Sequence, residues 1–243
     1  MRRQIFLLIA VLTVSCSTPQ LSNKDVSSDF TADNLLSKSL FITPVINLTI
    51  EKDLNTVDVL SEKILRSERK YYHWIGVKKT REAIAGAALS KELDECLKQH
   101  SEGKTIDRRL VQKLSPVLKD NYIVFTALKG YNETEDMTSS GNNSVNSFKS
   151  YLEGVFTVYD LKTGLPVFNT AHSVNYNKEI TGESEPISMN SPKDAAGDCI
   201  GSCISEWIGG CVTGIIFLVI APSPEEMAGK FFEEIGDNFP EKR

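Results

Sequence analysis

The alternation of apolar and polar positions predicts that regular structure begins near residue 40. The apolar, β-branched run from Leu40 to Ile50 predicts a first strand, in which Pro44 indicates an edge position or a bulge. A helical stripe over residues 55–69 follows it, with Asn55 and Asp58 as a capping pair. The chain therefore starts its folded part with a strand and a helix.

Two helices separate this beginning from the later strands. Residues 71–77 have the composition of a second short strand, and a strong apolar stripe then predicts one helix from Thr80 to Gly103. Cys96 lies on the apolar face of that helix, so we expect a buried rather than a reactive thiol. Another helix begins at Thr105 and carries Pro116 in its last turn.

Three strands are predicted in the second half of the chain. Residues 121–128 are apolar at nearly every position, which is typical of a strand covered on both faces. Residues 148–176 alternate on either side of a turn that ends at Gly164, where a positive φ is expected, and so predict a β-hairpin. The polar stretch 132–146 between them is predicted to be a loop. We expect the core of one sheet to contain Ile123, Phe125, Leu152, Phe156 and Val158.

The last helix begins at Ser223, with Pro224 in its first turn and Glu226 completing a capping box. The order of elements predicts an α/β fold with α+β character at its end. We expect one mixed sheet with a carboxyl-terminal antiparallel hairpin and helices on one or both faces. A hydrophobic, Gly- and Cys-rich insertion over residues 199–222 interrupts this order.

The amino terminus has the layout of an export signal, with two arginines and an apolar run up to Leu12 that is too short to span a bilayer. The sequence LTVSC at residues 12–16 resembles the lipobox of bacterial lipoproteins, although Thr13 stands where leucine is commonest. The resemblance implies a signal peptide over residues 1–15 and a lipid on Cys16. An ordinary secretory signal with an incidental cysteine is the alternative.

The residues after the lipobox are polar and predict a tether over residues 16–37, in front of a single domain over residues 38–240. The lipid would attach the protein to a membrane of the bacterial cell envelope. Because Ser17 rather than an acid follows Cys16, the resemblance favours the outer membrane, facing the periplasm, over the inner membrane.

Charge and spacing exclude several classes of function. The formal net charge is −5, with acids and bases mixed along the chain, which argues against a nucleic-acid partner. The histidines His73, His100 and His172 stand alone, without the spacing of a metal site. We find no catalytic constellation, expect no cofactor or metal and identify no small-molecule substrate.

Three cysteines lie within the insertion, at Cys199, Cys203 and Cys211. Apolar packing of all three is the first interpretation, and a disulfide between Cys199 and Cys203 is the second, because the periplasm is oxidising. Three thiols without a nearby histidine make a poor zinc site.

Glu206 and Glu225 bracket 18 uncharged residues, and the apolar segment at 207–221 within them is long for one buried strand and marginal for a spanning helix. We expect it to contact a membrane or another subunit, and the alternative is that it packs against the domain's own sheet. The contact residues would be Trp207, Ile208, Ile215, Ile216, Phe217 and Leu218.

The element order, the VYDLKTG hairpin at residues 158–164 and the closing Phe239-Pro240 resemble a broad group of small envelope lipoproteins. That group includes curli-secretion channel lipoproteins, lipoprotein activators of penicillin-binding proteins and the TolB amino-terminal domain. The resemblance implies a sheet with helices behind a lipid anchor, and it carries over no functional residue.

Three functions follow as hypotheses. The first is a non-enzymatic accessory or binding protein with a protein partner or self-association. The alternative is an oligomeric secretion or channel component. The third is a lipid-anchored hydrolase whose site assembles only in three dimensions.

Overall fold

A computed structural model describes residues 24–47, 54–119, 121–140, 143–183 and 222–241. The described residues form seven strands and six helices. The strands are β1 (Lys24–Val26), β2 (Ser39–Ile42), β3 (Ile46–Asn47), β4 (His73–Ile75), β5 (Tyr122–Ser140), β6 (Asn143–Asp160) and β7 (Leu165–Glu183). The helices are α1 (Ala32–Ser37), α2 (Leu54–Glu68), α3 (Val77–Gly86), α4 (Ser90–Ser101), α5 (Arg108–Leu118) and α6 (Pro224–Asp237).

All seven strands belong to one mixed sheet. Its order is β1-β7-β6-β5-β2-β4, and β3 pairs with β5 further along that strand. β2 runs parallel to β4 and β5, whereas β5, β6 and β7 are antiparallel neighbours. The predicted α/β fold, with its mixed sheet and carboxyl-terminal antiparallel hairpin, is confirmed. β1 and β4 form the two ends of the sheet.

Successive residues of the central strands point to opposite faces, and each face has its own core. One core contains Val124 and Phe156 together with residues of α2 and α6. The other contains Ile123 and Phe125 together with residues of α3, α4 and α5. Helices therefore cover both faces. The five predicted core residues, Ile123, Phe125, Leu152, Phe156 and Val158, are fully buried.

The segment after α6 contacts the rest of the domain in two ways, through the aromatic ring of Phe239 and through hydrogen bonds to its backbone carbonyl groups. The ring centroid of Phe239 lies 5.2 Å from that of Phe168 and 5.6 Å from that of Trp74. Arg69 donates hydrogen bonds to the carbonyls of Asp237 and Phe239. The carboxyl-terminal segment thus joins strands from opposite ends of the sheet.

The predicted hairpin turn is confirmed. Gly164 has a φ of +68°, and a Cβ there would lie 2.6 Å from the carbonyl oxygen of Arg108, so both conformation and space require glycine. Asp160 accepts a hydrogen bond from the backbone N–H of Thr163 at 2.9 Å and from the Lys38 ammonium at 2.8 Å. Burial opposes ionisation of Asp160, but these hydrogen bonds outweigh it and lower the pKa of the carboxyl group.

The predicted loop over residues 132–146 is wrong. β5 continues to Ser140 and β6 starts at Asn143, and the two strands pair residue by residue from Gly130 opposite Glu153 to the end. Cross-strand pairing, rather than the weak strand propensity of Ser and Asn, sets the structure here.

The single helix predicted from Thr80 to Gly103 is in fact two helices, α3 and α4. The chain turns between them at Ala88, which has a φ of +58°. Ala85 and Ala88 are exposed, while Ile84 and Leu93 supply the buried side chains. The break brings the apolar stripes of both helices onto the same face of the sheet.

Three predicted boundaries also need correction. Asp58 does not cap α2, which begins at Leu54; its buried carboxylate accepts the backbone N–H of Val45 at 2.7 Å. The helix predicted from Thr105 begins at Arg108, with Asp107 as its cap. The predicted first strand is divided into β2 and β3 on either side of Pro44.

β1 and α1 lie inside the range predicted to be a tether. β1 pairs with β7, and Leu35 of α1 is fully buried. The last helix agrees with its prediction: the Ser223 hydroxyl accepts the backbone N–H of Glu226, and the Glu226 carboxylate accepts that of Ser223.

We expect Phe156→Ala to destabilise the domain strongly. The ring is fully buried, with its centroid 5.8 Å from that of Phe239 and 6.0 Å from that of Phe168. Truncation of a buried phenylalanine costs about 3–5 kcal/mol, which lowers the melting temperature by roughly 10 °C in a domain of this size. Thermal melting followed by circular dichroism measures the change. Leu165→Ala, at a half-exposed position of β7, is the control, and equal melting of both variants would contradict the assignment.

Candidate interaction site

The residues to which the sequence assigned a function lie outside the described part of the chain. These residues are Cys16, Cys199, Cys203, Trp207, Ile208, Ile215, Ile216, Phe217 and Leu218. Lipidation, the disulfide and the membrane or subunit contact therefore stay predictions. In the described ranges, no helix is both long and apolar enough to cross a membrane. The same ranges contain no group of three or more His, Cys, Asp or Glu side chains that could hold a metal ion.

Two of the three histidines are buried in the domain. His100 on α4 packs beside the ring of Phe125. Burial lowers its pKa to about 4, although a hydrogen bond with the backbone of Val155 acts in the opposite direction. His73 is exposed and shares a 2.7 Å hydrogen bond with the Ser39 hydroxyl.

His172 and Glu234 form a pair between β7 and α6. The imidazole Nε2 of His172 contacts the Glu234 carboxylate, and the His172 ring stacks on Phe231 with centroids 6.0 Å apart. The His172 side chain is fully buried, while that of Glu234 is 23% exposed. The pair links β7 to α6 and lies outside the lining of the groove between α2 and α6.

A groove lies between α2 and α6 and has a volume of about 730 Å³. Its apolar floor is formed by Leu60, Ile64, Gly229 and the ring of Tyr176. Charged side chains of both signs surround this floor, namely Lys63, Glu225, Glu226, Lys230 and Glu233. An apolar floor with a charged rim is the arrangement that amphipathic protein segments bind.

Close helix packing shapes this groove. A Cβ on Gly229 would lie 3.5 Å from the Ile64 side chain, and a Cβ on Gly236 would lie 2.8 Å from Glu68. The two glycines are seven residues apart on α6 and let it approach α2 along two turns. The Lys230 ammonium lies 5.1 Å from the Tyr176 ring centroid, which fixes one side of the rim.

The long strands extend past the body of the sheet as a three-stranded ribbon. We define the ribbon as residues 130–140, 143–153 and 172–183. Within the described residues, strands pair with the outer edge of β5 only as far as Leu128, and with that of β7 only as far as Thr170. The outer strands of the ribbon therefore carry edges to which no described strand is paired.

Cys96 agrees with its prediction as a buried thiol. It is fully buried, and burial, with smaller contributions from Glu95, Asp107 and Glu92, raises its pKa to about 12. A thiol with such a pKa is almost entirely protonated at neutral pH and is a poor nucleophile.

Sequence reasoning missed the groove, the ribbon and the pairing of His172 with Glu234. The spacing of Gly229 and Gly236 was a usable signal, because glycines one heptad apart mark a close approach between helices. The pair is formed by residues 62 positions apart, and nothing in the local sequence connects them.

No protein-family model matches the chain, and no curated protein matches it. Solved structures that resemble it include a lipoprotein, GNA1162 from Neisseria meningitidis, at 13% identity and a TM-score of 0.35, over 71% of this chain and 99% of that one. The PelC dodecamer from Paraburkholderia phytofirmans is 11% identical, with a TM-score of 0.32, over 67% and 81% of the two chains. The LpoB carboxyl-terminal domain from Salmonella enterica is 13% identical, with a TM-score of 0.33, over 60% and 96%. At TM-scores of this size, the likenesses support no argument about the function of this chain.

We expect His100 to make folding sensitive to acid. Its pKa is about 4 in the folded protein and 6.5 in the unfolded chain, so the unfolded chain binds the proton first as the pH falls. The stability that neutral His100 contributes is complete above pH 6.5 and is lost towards pH 4, by roughly 3 kcal/mol. Urea unfolding across this range measures the loss. His100→Leu should reduce the dependence of the unfolding free energy on pH, whereas His73→Leu, at an exposed position, should leave it unchanged. If His100→Leu lost stability between pH 6.5 and pH 4 as the wild type does, the expectation would be refuted.

Proposed function

We propose that the protein is a lipid-anchored, non-enzymatic accessory protein of the bacterial cell envelope that binds a protein partner in the groove between α2 and α6. The groove is the observation that carries the proposal, because it combines an apolar floor with a charged rim on rigid helices. The lipobox-like sequence ending at Cys16 supports the anchor. Ser17 supports attachment to the outer membrane, with the domain in the periplasm.

The partner in this proposal is an amphipathic helix or strand of another protein. The floor offers Leu60, Ile64 and Tyr176 to apolar side chains. Three acids and two lysines on the rim offer ion pairs that orient the segment. The buried histidines do not enter this groove, which favours binding over catalysis there.

The anchor is tested by metabolic labelling with a fatty acid. Cys16→Ala should abolish the label and release the protein from membranes, because two or three acyl chains hold firmly where a single chain does not. Cys199→Ala is the matched control and should keep both the label and the membrane location. A labelled, membrane-bound Cys16→Ala protein would exclude Cys16 as the attachment site.

The groove is tested by site-specific photo-crosslinking in cells. A photoreactive side chain at Glu226 or at Lys230, both exposed on the rim, should form one adduct of defined mass that is absent with the probe at Lys91 of α4. A groove variant, Leu60→Glu, should reduce the adduct at least tenfold, since it places a charge in the apolar floor. Equal adducts from the Lys91 probe and the groove probes would mean that the partner binds elsewhere.

A second function is favoured by the ribbon. Eleven residues of the β5 edge, over roughly 35 Å, have no described strand beside them. Such an edge pairs readily with another chain, which supports self-assembly as an oligomeric secretion or channel component. The predicted contact over residues 204–221 belongs to the same hypothesis.

Light scattering and liposome flotation test this second function on Cys16→Ala protein. In one arm the ribbon is shortened by replacing residues 135–148 with Asn-Gly, and in another residues 204–221 are deleted. The assembly hypothesis expects an oligomer that either change reduces to a monomer, and the contact hypothesis expects the deletion to abolish flotation. A monomeric, non-floating parent protein would rule out both.

A further inference from the structure

The formal net charge of the chain conceals a strongly basic stretch. Residues 63–81 contain seven Lys or Arg residues and one Glu, which gives this stretch a net charge of +6, while the remainder of the chain has −11. Including the flanking Glu62 and Glu82 still leaves +4. The charge is therefore distributed unevenly between one region and the rest of the protein.

Five of these seven cations are exposed on α2, on the chain just after it and at the start of α3. On α2 and just after it, Lys63, Arg66 and Lys70 are spaced three and four residues apart and are exposed. At the start of α3, Lys78 and Lys79 are exposed as well. We call these five residues the basic surface; one of them, Lys63, also lies on the rim of the groove between α2 and α6. Arg69 does not belong to it, because its guanidinium is mostly buried against the carbonyls after α6.

Glu62 joins the two parts of the basic surface. One oxygen of its carboxylate accepts the backbone N–H of Val77 at 2.6 Å, and the other lies 3.9 Å from the Arg66 guanidinium. The second half of α2 and the start of α3 are thereby joined. Glu62 keeps its negative charge in this arrangement and offsets part of the positive charge of the surface, at Arg66.

An exposed aromatic side chain lies beside these cations. Tyr71 is 60% exposed, and the Lys70 ammonium lies 5.5 Å from its ring centroid. The side chains of Glu68, Arg69 and Glu241 line the same small pocket as Tyr71, so its surroundings carry both signs of charge. An exposed tyrosine beside a lysine is suited to the boundary between water and lipid, where the ring enters the headgroup layer and the ammonium group contacts a phosphate.

We propose that the basic surface binds the anionic headgroups of a phospholipid bilayer. The surface surrounds β4, at the opposite end of the sheet from β1. Five strand spacings separate the two ends by roughly 24 Å. The eight residues from Cys16 to Lys24 can extend at most about 26 Å, so an anchored protein could reach its own bilayer with this end of the sheet. Binding does not require the lipid on Cys16, because electrostatic attraction alone brings the basic surface to anionic lipid.

Vesicle flotation tests the proposal with the chain from residue 16 carrying Cys16→Ala. The protein should bind vesicles of phosphatidylcholine with phosphatidylglycerol more tightly than phosphatidylcholine alone, and salt of about 0.15 M should weaken that binding. Each lysine near an anionic surface contributes about fivefold to the binding constant. Lys70→Gln/Lys78→Gln/Lys79→Gln should thus reduce binding on the order of a hundredfold.

The matched control changes the same net charge at exposed lysines elsewhere. Lys91→Gln/Lys98→Gln/Lys162→Gln should bind anionic vesicles within about twofold of the parent, since charges beyond a Debye length act weakly. Equal losses in both triple variants, or no preference of the parent for phosphatidylglycerol, would overturn the proposal. If the parent protein is a dimer and only the Lys70/Lys78/Lys79 variant dissociates, the basic surface binds a second copy of the chain instead of lipid. The residues outside 63–81 would supply the negative charge for that contact. Lipidation of Cys16 and crosslinks in the groove are measured separately and are unaffected by any of these results.

Discussion

The structure depends most on the aromatic contacts of Phe239, because this one side chain joins both ends of the sheet to the carboxyl-terminal segment. Its ring centroid lies within 5.8 Å of those of Phe30, Trp74, Phe156 and Phe168. The carbonyls around it are bound from the same two ends, by Lys24 near β1 and by Arg69 and Tyr72 near β4. Within the sheet itself the two ends are far apart, since four strands, β7, β6, β5 and β2, lie between them.

Because Phe239 fixes the end of α6 and the Ser223–Glu226 capping box fixes its start, the helix has little freedom over the sheet. Gly229 and Gly236 then set its distance from α2, and the contact of the buried His172 with Glu234 attaches it to β7. The groove between α2 and α6 is therefore a product of helix packing rather than of a loop. Its floor and rim are formed mainly by side chains of two packed helices, and a groove formed in this way lowers the entropy that a partner must lose on binding.

The sequence predicted those parts of the fold that local patterns determine. The apolar strand at 121–128, the glycine turn at 164 and the capped last helix have strong short-range signals, and each is present. The ribbon could not be predicted in this way, because residues 132–146 are mostly polar and become strands only through pairing with distant residues. The break at Ala88 escaped prediction for the opposite reason, since alanine there has a positive φ that its helix propensity argues against. For the candidate site, the spacing of Gly229 and Gly236 is visible in the sequence. Their contacts, Ile64 and Glu68, lie on α2, and the sequence pattern does not indicate which helix packs there.

The net charge of the whole chain also hides a local feature, because it averages over regions of opposite charge. A net charge of −5 argues against polyanion binding only if the charges are evenly distributed, and here +6 lies within nineteen consecutive residues. Folding does not require that concentration: Lys63, Arg66, Lys70, Lys78 and Lys79 are exposed, and like charges close together on neighbouring elements cost free energy. In our proposal, an external anion offsets this repulsion and approaches the face on which the cluster lies. In this fold that face is at the β4 end of the sheet, opposite the strand that continues towards the predicted anchor.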